Sequence, residues 1–130
     1  MNKKALVYIE IISNKIADVS KEIISKLQQY NSEIFINGVV LLEENAYNLL
    51  EHDLNNLSLN ELFVIKDSIF DNFQTCIFAD NLSQFIKEHP HDIFLMGATE
   101  NGRDLAPRIA SKLNIGLTAD CTQIEIDENV

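Results

Sequence analysis

The sequence is poor in the residues that mark metal, redox and membrane proteins. Its two cysteines, Cys76 and Cys121, lack the CxxC spacing of a zinc or redox site, so we interpret them as reduced structural thiols in apolar or turn-like contexts. No apolar run approaches the roughly 18 residues that span a bilayer. The run after Lys3 and Lys4 is broken by Glu10 and has no small-residue cleavage site, which favours a buried strand over a secretory signal. We therefore expect a cytoplasmic protein.

Basic side chains and catalytic clusters are also scarce. Ten Lys and Arg residues stand against 20 Asp and Glu residues, and the formal net charge of −10 repels phosphate backbones and anionic lipid headgroups. Nucleic acid and membranes are therefore poor candidate partners, and we interpret the excess acid as a solvated surface. No pair of nucleophile and base is suggested, because the three histidines lie in segments that predict polar loops: His52, His89 and His91. We expect neither a catalytic centre nor a metal site.

Length and hydrophobic pattern indicate one compact domain. A chain of 130 residues with 46% hydrophobic content buries enough surface for an ordinary core. Apolar runs predict strands at residues 5–11, 33–42, 62–65, 93–96 and 124–126. Helical spacing predicts helices at residues 16–30, 43–50 and 105–113, and another that opens at Asp80 and Asn81 and ends near Pro90. Residues 52–60 resemble a loop, and residues 67–75 form a connection without assigned structure.

The alternation of strands and helices predicts the fold class. Such alternation indicates βαβ crossovers, so we expect an open α/β fold with a mostly parallel sheet and helices on both faces. Ligands of such sheets sit outside the carboxyl ends of the strands, which directs attention to the turn that begins at Gly97. Gly38 lies inside the second predicted strand, where we expect another backbone to come close.

The segment after the fourth predicted strand reads GATENGRDLAPRIASKLNIGLTADC. Gly97 lets the chain leave the strand without Cβ crowding, and Gly102 permits a turn or a close approach. Asn101 or Asp104 is expected to cap the helix that follows. Pro107 is tolerated only in or near the first turn, so that helix should begin close to Asp104 or bend at Pro107.

The arginines of this segment leave two interpretations open. A glycine-containing turn from strand to helix directs backbone N–H groups outward, as in many phosphate sites, and Arg103 and Arg108 would add charge there. Two glycines at this spacing are a weak pattern, however. A structural turn whose arginines pair with acidic neighbours is therefore favoured, with the phosphate site as the alternative.

The whole string is far more specific than its glycines. The pattern GATxxGRDLAPRxAxxLxxGLTADC resembles the stretch that ends the first domain of electron transfer flavoprotein alpha subunits. The opening is similar to the family as well, in VYIE with Glu10 after the first strand and in KIADVSKEIISK. Between residues 43 and 75 no family residues are recognised. The matching positions are Gly97, Ala98, Thr99, Gly102, Arg103, Asp104, Leu105, Ala106, Pro107, Arg108, Ala110, Leu113, Gly116, Leu117, Thr118, Ala119, Asp120 and Cys121.

The resemblance implies a fold, a carrier and a cofactor. The implied fold is an adenine-nucleotide alpha-hydrolase-like, Rossmann-like three-layer sandwich, with residues 1–130 as the N-terminal domain of the alpha subunit and the family's C-terminal FAD-binding domain absent. The implied carrier is a heterodimer with a beta subunit that passes electrons from dehydrogenases, such as acyl-CoA dehydrogenases, to an acceptor. We therefore expect a carrier subunit and not an enzyme. FAD would belong to the full-length complex and not to this part, and the beta subunit would hold AMP or a second flavin.

The resemblance also implies a role for the turn. This domain would serve mainly as scaffold and subunit interface, without catalytic residues. The turn would be a vestigial nucleotide pocket or an interface, and Arg103 and Asp104 are expected to make polar contacts with the rest of the complex. The residues of this turn are Gly97, Thr99, Gly102, Arg103 and Asp104.

Two other functions fit the pattern less well. A free-standing adenine-nucleotide-binding regulatory module resembling universal stress proteins typically has a further glycine two residues on and a Gly-Ser or Gly-Thr about ten residues later. Here Gly102 is followed by Arg103, Asp104 and Leu105, and Gly116 stands fourteen residues beyond Gly102 and is followed by Leu117. A hydrolase or ligase of the same superfamily needs a phosphate-gripping loop after the first strand. Residues 10–13 contain no glycine, which argues against it.

Overall fold

The computed structural model describes residues 3–30 and 33–113. Within them the chain alternates between strands and helices, as the hydrophobic pattern predicts. The strands are β1 (Lys4–Tyr8), β2 (Ile11–Ile12), β3 (Lys15–Ile16), β4 (Phe35–Leu42), β5 (Glu61–Lys66) and β6 (Ile93–Leu95). The helices are α1 (Asp18–Tyr30), α2 (Glu44–Asn55), α3 (Thr75–Glu88) and α4 (Glu100–Leu113), with a short 3₁₀ turn at Ser68–Phe70.

Four of the strands form one parallel sheet in the order β5-β4-β1-β6. Tyr8 of β1 lies opposite Val39 of β4 on one side, and Val7 lies opposite Leu95 of β6 on the other. The parallel α/β fold predicted from the sequence is therefore confirmed. No described helix has the length and apolar character needed to cross a membrane.

Two hydrophobic cores explain why β1 is apolar without interruption. Alternate residues of a strand point to opposite faces, so a strand covered on both sides has no position left for a polar side chain. Ala5, Val7 and Ile9 belong to the core under α1 and α2, which contains Ile23, Leu27, Leu50 and Leu54. Leu6 and Tyr8 belong to the core under α3 and α4, which contains Phe78, Leu82, Leu105 and Ile109. The predicted three-layer arrangement follows from these two cores.

A small antiparallel hairpin follows β1 and was not predicted. The strand predicted over residues 5–11 ends at Tyr8, and the chain then turns back through β2 and β3, where Ile11 lies opposite Ile16. Ser13 and Asn14, predicted as a polar turn, have φ angles of 51° and 60° in the left-handed region and form its tip. Asn tolerates this region better than most residues.

Three predicted helix boundaries are wrong. Helix α2 continues to Asn55 through the predicted loop, because Leu50 and Leu54 lie one turn apart on its buried face. Helix α3 begins at Thr75, five residues before Asp80, because Phe78 and Ala79 are buried in its first turns. Helix α4 begins at Glu100 and contains Pro107 in its interior, so neither Asn101 nor Asp104 is its cap. The strand predicted at residues 124–126 lies outside the described residues.

Two glycines are required by close packing of different kinds. A Cβ atom on Gly102 would lie 2.0 Å from the backbone oxygen of Gly97, so α4 contacts the turn before it through main chain alone. A Cβ on Gly38 would instead meet side-chain atoms, the nearest being Leu59 Cδ1 at 2.7 Å. The prediction that another backbone comes close at Gly38 is therefore wrong. The side chains of Leu59, just before β5, and of Leu62, in β5, lie in that space.

This difference predicts unequal costs for two matched substitutions. Gly102→Ala sets a methyl group against a carbonyl that cannot rotate away, and we expect it to lower the free energy of unfolding by about 3 kcal/mol. Gly38→Ala meets the ends of flexible leucine side chains, and we expect a loss of about 1 kcal/mol. Urea denaturation of both variants measures the difference. Equal losses would contradict the backbone contact between Gly102 and Gly97.

Candidate functional site

The candidate site lies where the strand order of the sheet reverses. The chain passes from β1 to β4 and β5 on one side, whereas β6 pairs with the opposite side of β1. In open parallel sheets this reversal leaves a crevice at the carboxyl ends of the two diverging strands, and ligands bind there. Glu10 follows β1 at this edge, and residues 97–99 follow β6. The crevice between β1 and β6 is therefore bordered by Glu10 and by the glycine-containing turn.

A hydrogen bond joins the two sides of this crevice. The Thr99 hydroxyl donates to Glu10 Oε1 at 2.6 Å, and Glu10 is only 2% exposed. The main chain of Glu10 is fixed by the start of α1, because its N–H donates to Ser20 Oγ at 3.1 Å and its carbonyl accepts from the Ala17 N–H at 2.9 Å. The carboxyl group is therefore held in place at the centre of the expected ligand site.

Thr99 also caps α4. Its hydroxyl accepts from the Gly102 N–H at 3.0 Å, and its carbonyl accepts from the Arg103 N–H at 2.8 Å. A side-chain oxygen that accepts from an N–H in the first turn is the usual cap of a helix N-terminus. The positive end of α4 is thus connected through one hydroxyl to the Glu10 carboxyl group, and a negative charge at this end is favourable.

The other carboxyl oxygen of Glu10 has no hydrogen-bond partner in the part of the chain that the structure describes. Glu10 Oε2 is buried there. A buried carboxylate with one hydrogen bond costs several kcal/mol of desolvation. It also influences Tyr8, since burial, and then the negative charge of Glu10, raise the pKa of the Tyr8 phenol well above its ordinary value of 10.0.

The space above Gly97 is occupied by α1. A Cβ atom on Gly97 would lie 2.3 Å from Val19 Cγ1, so the Val19 side chain packs directly on the glycine. Glycine is needed here because any larger residue would displace that side chain. Val19 and Glu10 thus place the protein's own side chains beside this turn, at the edge of the sheet where this fold class places ligands.

The structure brings together three of the five residues predicted for the turn. Gly97, Thr99 and Gly102 contact one another at the start of α4. Arg103 and Asp104 lie on α4 with exposed side chains. Whether these five residues contact a nucleotide or the rest of a complex stays a prediction.

Other predicted residues lie elsewhere. Among the described residues the Arg108 guanidinium donates to Cys76 Sγ at 3.5 Å and forms no ion pair with an acid, whereas Lys112 pairs with Asp80 at 2.6 Å to join α4 to α3. Cys76 is exposed in the first turn of α3 and forms no disulfide, and Cys121 lies outside the described residues.

The histidines are part of the fold. His52 lies on α2 and not in a loop, because that helix is longer than predicted. His89 ends α3 and stacks on Phe85 with ring centroids 4.2 Å apart, and His91 Nε2 lies 3.1 Å from Asn37 Nδ2. Among residues 3–30 and 33–113 no group of His, Cys, Asp and Glu side chains is arranged to hold a metal ion.

Glu10 is recognisable in the sequence, but the sequence does not indicate its position in the site. The available signal was a single acid inside the apolar run that contains β1, since an acid in such a run is either at an edge or buried with a partner. The partner, Thr99, is 89 positions away in the chain. Only the parallel pairing of β1 and β6 brings the two residues together.

The Thr99 hydroxyl predicts a measurable loss of stability. Thr99→Val keeps the branched shape but leaves Glu10 Oε1 and the Gly102 N–H without their partner, so we expect the free energy of unfolding to fall by about 2–3 kcal/mol. Thr99→Ser keeps the hydroxyl and should change it by less than about 1 kcal/mol. Urea denaturation compares the two variants. Losses of the same size would show that the hydroxyl is not the stabilising group.

The raised pKa of Tyr8 predicts a loss of stability at alkaline pH. The unfolded chain releases this proton at a lower pH than the folded chain, so the stabilisation is complete below about pH 10 and decreases as the pH rises further. Tyr8→Phe has no such proton, and its free energy of unfolding should decline less steeply above that pH. Tyr47→Phe keeps Tyr8 and serves as the control. A Tyr8→Phe curve parallel to the wild type would count against the raised pKa.

Comparison with known proteins identifies the family. A model of the electron transfer flavoprotein domain matches residues 5–130. The electron transfer flavoprotein subunit alpha of Thermoanaerobacterium thermosaccharolyticum is 38% identical over 128 residues, which is 98% of this chain and 38% of that protein. The subunit alpha of Megasphaera elsdenii is 32% identical over 132 residues, again 98% of this chain and 38% of that protein.

The chain is also similar to a protein that is named as a subunit of a dehydrogenase. The LctC subunit of the lactate dehydrogenase (NAD(+),ferredoxin) of Acetobacterium woodii is 32% identical over 95% of this chain and 29% of that protein. The chain thus spans little more than a third of the length of the alpha subunits it matches. With a family model matched from residue 5 to residue 130, the chain belongs to the electron transfer flavoprotein family, as an alpha-type domain.

Proposed function

We propose that this chain is the N-terminal domain of the alpha subunit of a heterodimeric electron carrier. In this proposal the carrier passes electrons from dehydrogenases, acyl-CoA dehydrogenases among them, to an acceptor through FAD, and a beta subunit is the permanent partner. The proposal is supported by alpha subunits that align with 98% of this chain. Because the chain spans 38% of their length, the flavin is assigned to the part of the alpha subunit that this chain does not include. A cytoplasmic location stays a prediction.

The domain's own role is proposed to be scaffold and subunit interface. The observation that supports it most directly is the contact across the β1–β6 edge, where the Thr99–Glu10 hydrogen bond and the Val19 side chain lie at the position that this fold class uses for ligands. A carboxylate beside the N-terminus of α4 also repels the phosphate that such a helix end would attract. The exposed side chains of Arg103 and Asp104 are then proposed to contact the rest of the complex.

The main alternative is a free-standing adenine-nucleotide-binding module. It requires a phosphate group at the turn between Gly97 and Arg103, and hence displacement of the Glu10 carboxyl group from Thr99. Breaking that buried hydrogen bond and leaving both groups unpaired costs about 1–3 kcal/mol before any contact with the nucleotide forms. The observed geometry therefore favours the subunit domain over the nucleotide module.

Two binding measurements test this proposal. The purified chain should be colourless and should release no heat when titrated with AMP, because the proposal assigns FAD to the rest of the subunit and places Glu10 and Val19 at the nucleotide position. The complete alpha subunit, co-purified with its beta partner, should be yellow with flavin absorption in the blue. Flavin absorption from this chain alone would overturn the assignment of FAD to the remainder of the subunit. Stoichiometric AMP binding by this chain would support the free-standing module instead.

A further inference from the structure

Within the described residues, β5 is an edge strand whose outer backbone groups have no partner strand. The Phe35 N–H donates to the Lys3 carbonyl just before β1, and the Val39 carbonyl accepts from the Ile9 N–H just after β1. The Leu42 carbonyl instead accepts from the Asp67 N–H just after β5. Alternate residues of a strand bond to opposite neighbours. With Leu42 in register with Lys66, the groups of Phe63 and Ile65 therefore point toward β4. Those of Leu62, Val64 and Lys66 point away from the sheet.

An open groove of about 500 Å³ lies along this edge. Four consecutive residues of β5 line the groove. Because side chains alternate between the two faces of a strand, a groove on one face would be lined by every second residue. Consecutive lining residues therefore indicate that the groove exposes the backbone edge of β5. Phe63 and Phe85 form its apolar floor with ring centroids 5.0 Å apart. The strand residues in the groove are Leu62, Phe63, Val64 and Ile65, and the α3 side is formed by Asn81, Gln84, Phe85, Glu88 and His89.

This edge lacks the usual protection against strand pairing. Proteins commonly place Pro, a bulge or inward charges on an exposed edge strand to prevent another strand from pairing with it. β5 reads ELFVIK, with its charges only at the ends, and the Lys66 ammonium lies over the Tyr47 ring at 4.4 Å on the opposite face. Residues 62–65 are half-buried, although the residues of β4 beside them are buried. The apolar centre of β5 is thus open to a partner strand.

The charges at the groove indicate what such a partner carries. The residues that line the groove include the acid Glu88 and no Lys or Arg, and Glu61 lies at the start of the strand with an exposed side chain. A second copy of this chain would bring Glu61 and Glu88 against their equivalents and would add another net charge of −10. Like charges at an interface oppose association. A segment with apolar residues and a basic residue complements the groove instead.

We propose that β5 is a docking edge for an extended segment of the carrier's other subunit. This segment pairs with the outward groups of Leu62, Val64 and Lys66, places apolar side chains on Phe63 and Phe85, and sets a Lys or Arg beside Glu88. Strand addition of this kind obtains affinity from main-chain hydrogen bonds and specificity from side-chain pockets. The inference rests on the proposed heterodimer, and it names the surface of this chain that the heterodimer uses.

Amide hydrogen exchange followed by NMR tests the pairing without any substitution. In this chain and in the complete alpha subunit, each without the beta subunit, the outward amides of Leu62 and Val64 should exchange quickly, whereas the inward amides of Phe63 and Ile65 should exchange slowly. In the heterodimer of complete subunits, exchange at Leu62 and Val64 should slow by about tenfold or more, since each N–H gains a partner. The inward amides are the internal control, because they are paired in both states.

Two pairs of variants of the complete alpha subunit test the same surface through affinity for the beta subunit. Val64→Pro removes an outward N–H that β4 does not use, and Pro is tolerated at such edge positions, so we expect about tenfold weaker association. Val64→Thr keeps the N–H and the branched shape and should bind as the wild type does. Glu88→Lys should also weaken association, whereas Glu22→Lys, on α1, makes the same change of net charge away from the groove.

Each outcome decides between the proposals. Slowed outward amides in the heterodimer, with weaker binding by Val64→Pro, support the docking edge. Outward amides that stay fast in a heterodimer that forms normally overturn it and leave the proposed function intact. Outward amides that are slow in the chain alone, and more so at high concentration, indicate a second copy and also overturn it. Outward amides that are slow in the complete alpha subunit without the beta subunit indicate that the same subunit covers β5, which overturns it as well. Failure of the wild type to form a yellow heterodimer overturns both the proposed function and this inference. If Val64→Pro does not fold, the exchange experiment on the wild type decides.

Discussion

The hydrogen bond between Thr99 and Glu10 connects the elements on which the rest of the domain is arranged. Glu10 is tied to the start of α1 through Ser20 and Ala17, and Thr99 caps α4 through Gly102. The two residues follow the adjacent strands β1 and β6, so one contact fixes how both strands leave the sheet and how two helices begin. A buried carboxylate is costly, but its place at the positive end of a helix offsets part of that cost.

The same contact relates the fold to its function. Open parallel sheets usually bind their ligand where the strand order reverses, and a ligand phosphate often sits at the helix end there. In this domain the protein supplies the negative group itself, and Val19 fills the space over Gly97. The domain therefore has the parallel-sheet architecture of a nucleotide-binding fold, with its own Glu10 and Val19 side chains beside the turn where such folds place a ligand. In the proposed function such a domain contributes to the carrier through its surfaces.

Several elements could be predicted from the sequence because local pattern determines them. The strands around Leu6 and Val40 are apolar on both faces, which is typical only of a parallel sheet between two helical layers. Helix starts were predicted less well. Asn101 and Asp104 are residue types that commonly cap helices, but Thr99 is the residue whose hydroxyl accepts from the Gly102 N–H. The β2–β3 hairpin was missed because its strands have two residues each, too few for a pattern.

The candidate site was located but its content could not be predicted. Turn position follows from strand order, and Gly97 and Gly102 are recognisable as residues that a close approach requires. The pairing of Glu10 with Thr99 is a long-range contact, and nothing local to either residue indicates the other. Which residues of β5 direct their N–H and C=O groups outward is also a nonlocal property, because it depends on which residues of β4 are paired on the β1 side.

The turn between β1 and β6 and the edge at β5 differ in how far the described chain covers them. Glu10 and Val19 lie at the turn, whereas within residues 3–30 and 33–113 β5 pairs with β4 alone and its apolar residues are half-buried. An exposed apolar edge favours aggregation unless another chain covers it. The proposed subunit role accounts for such an edge, because another chain of the assembly would cover it as long as the assembly is intact.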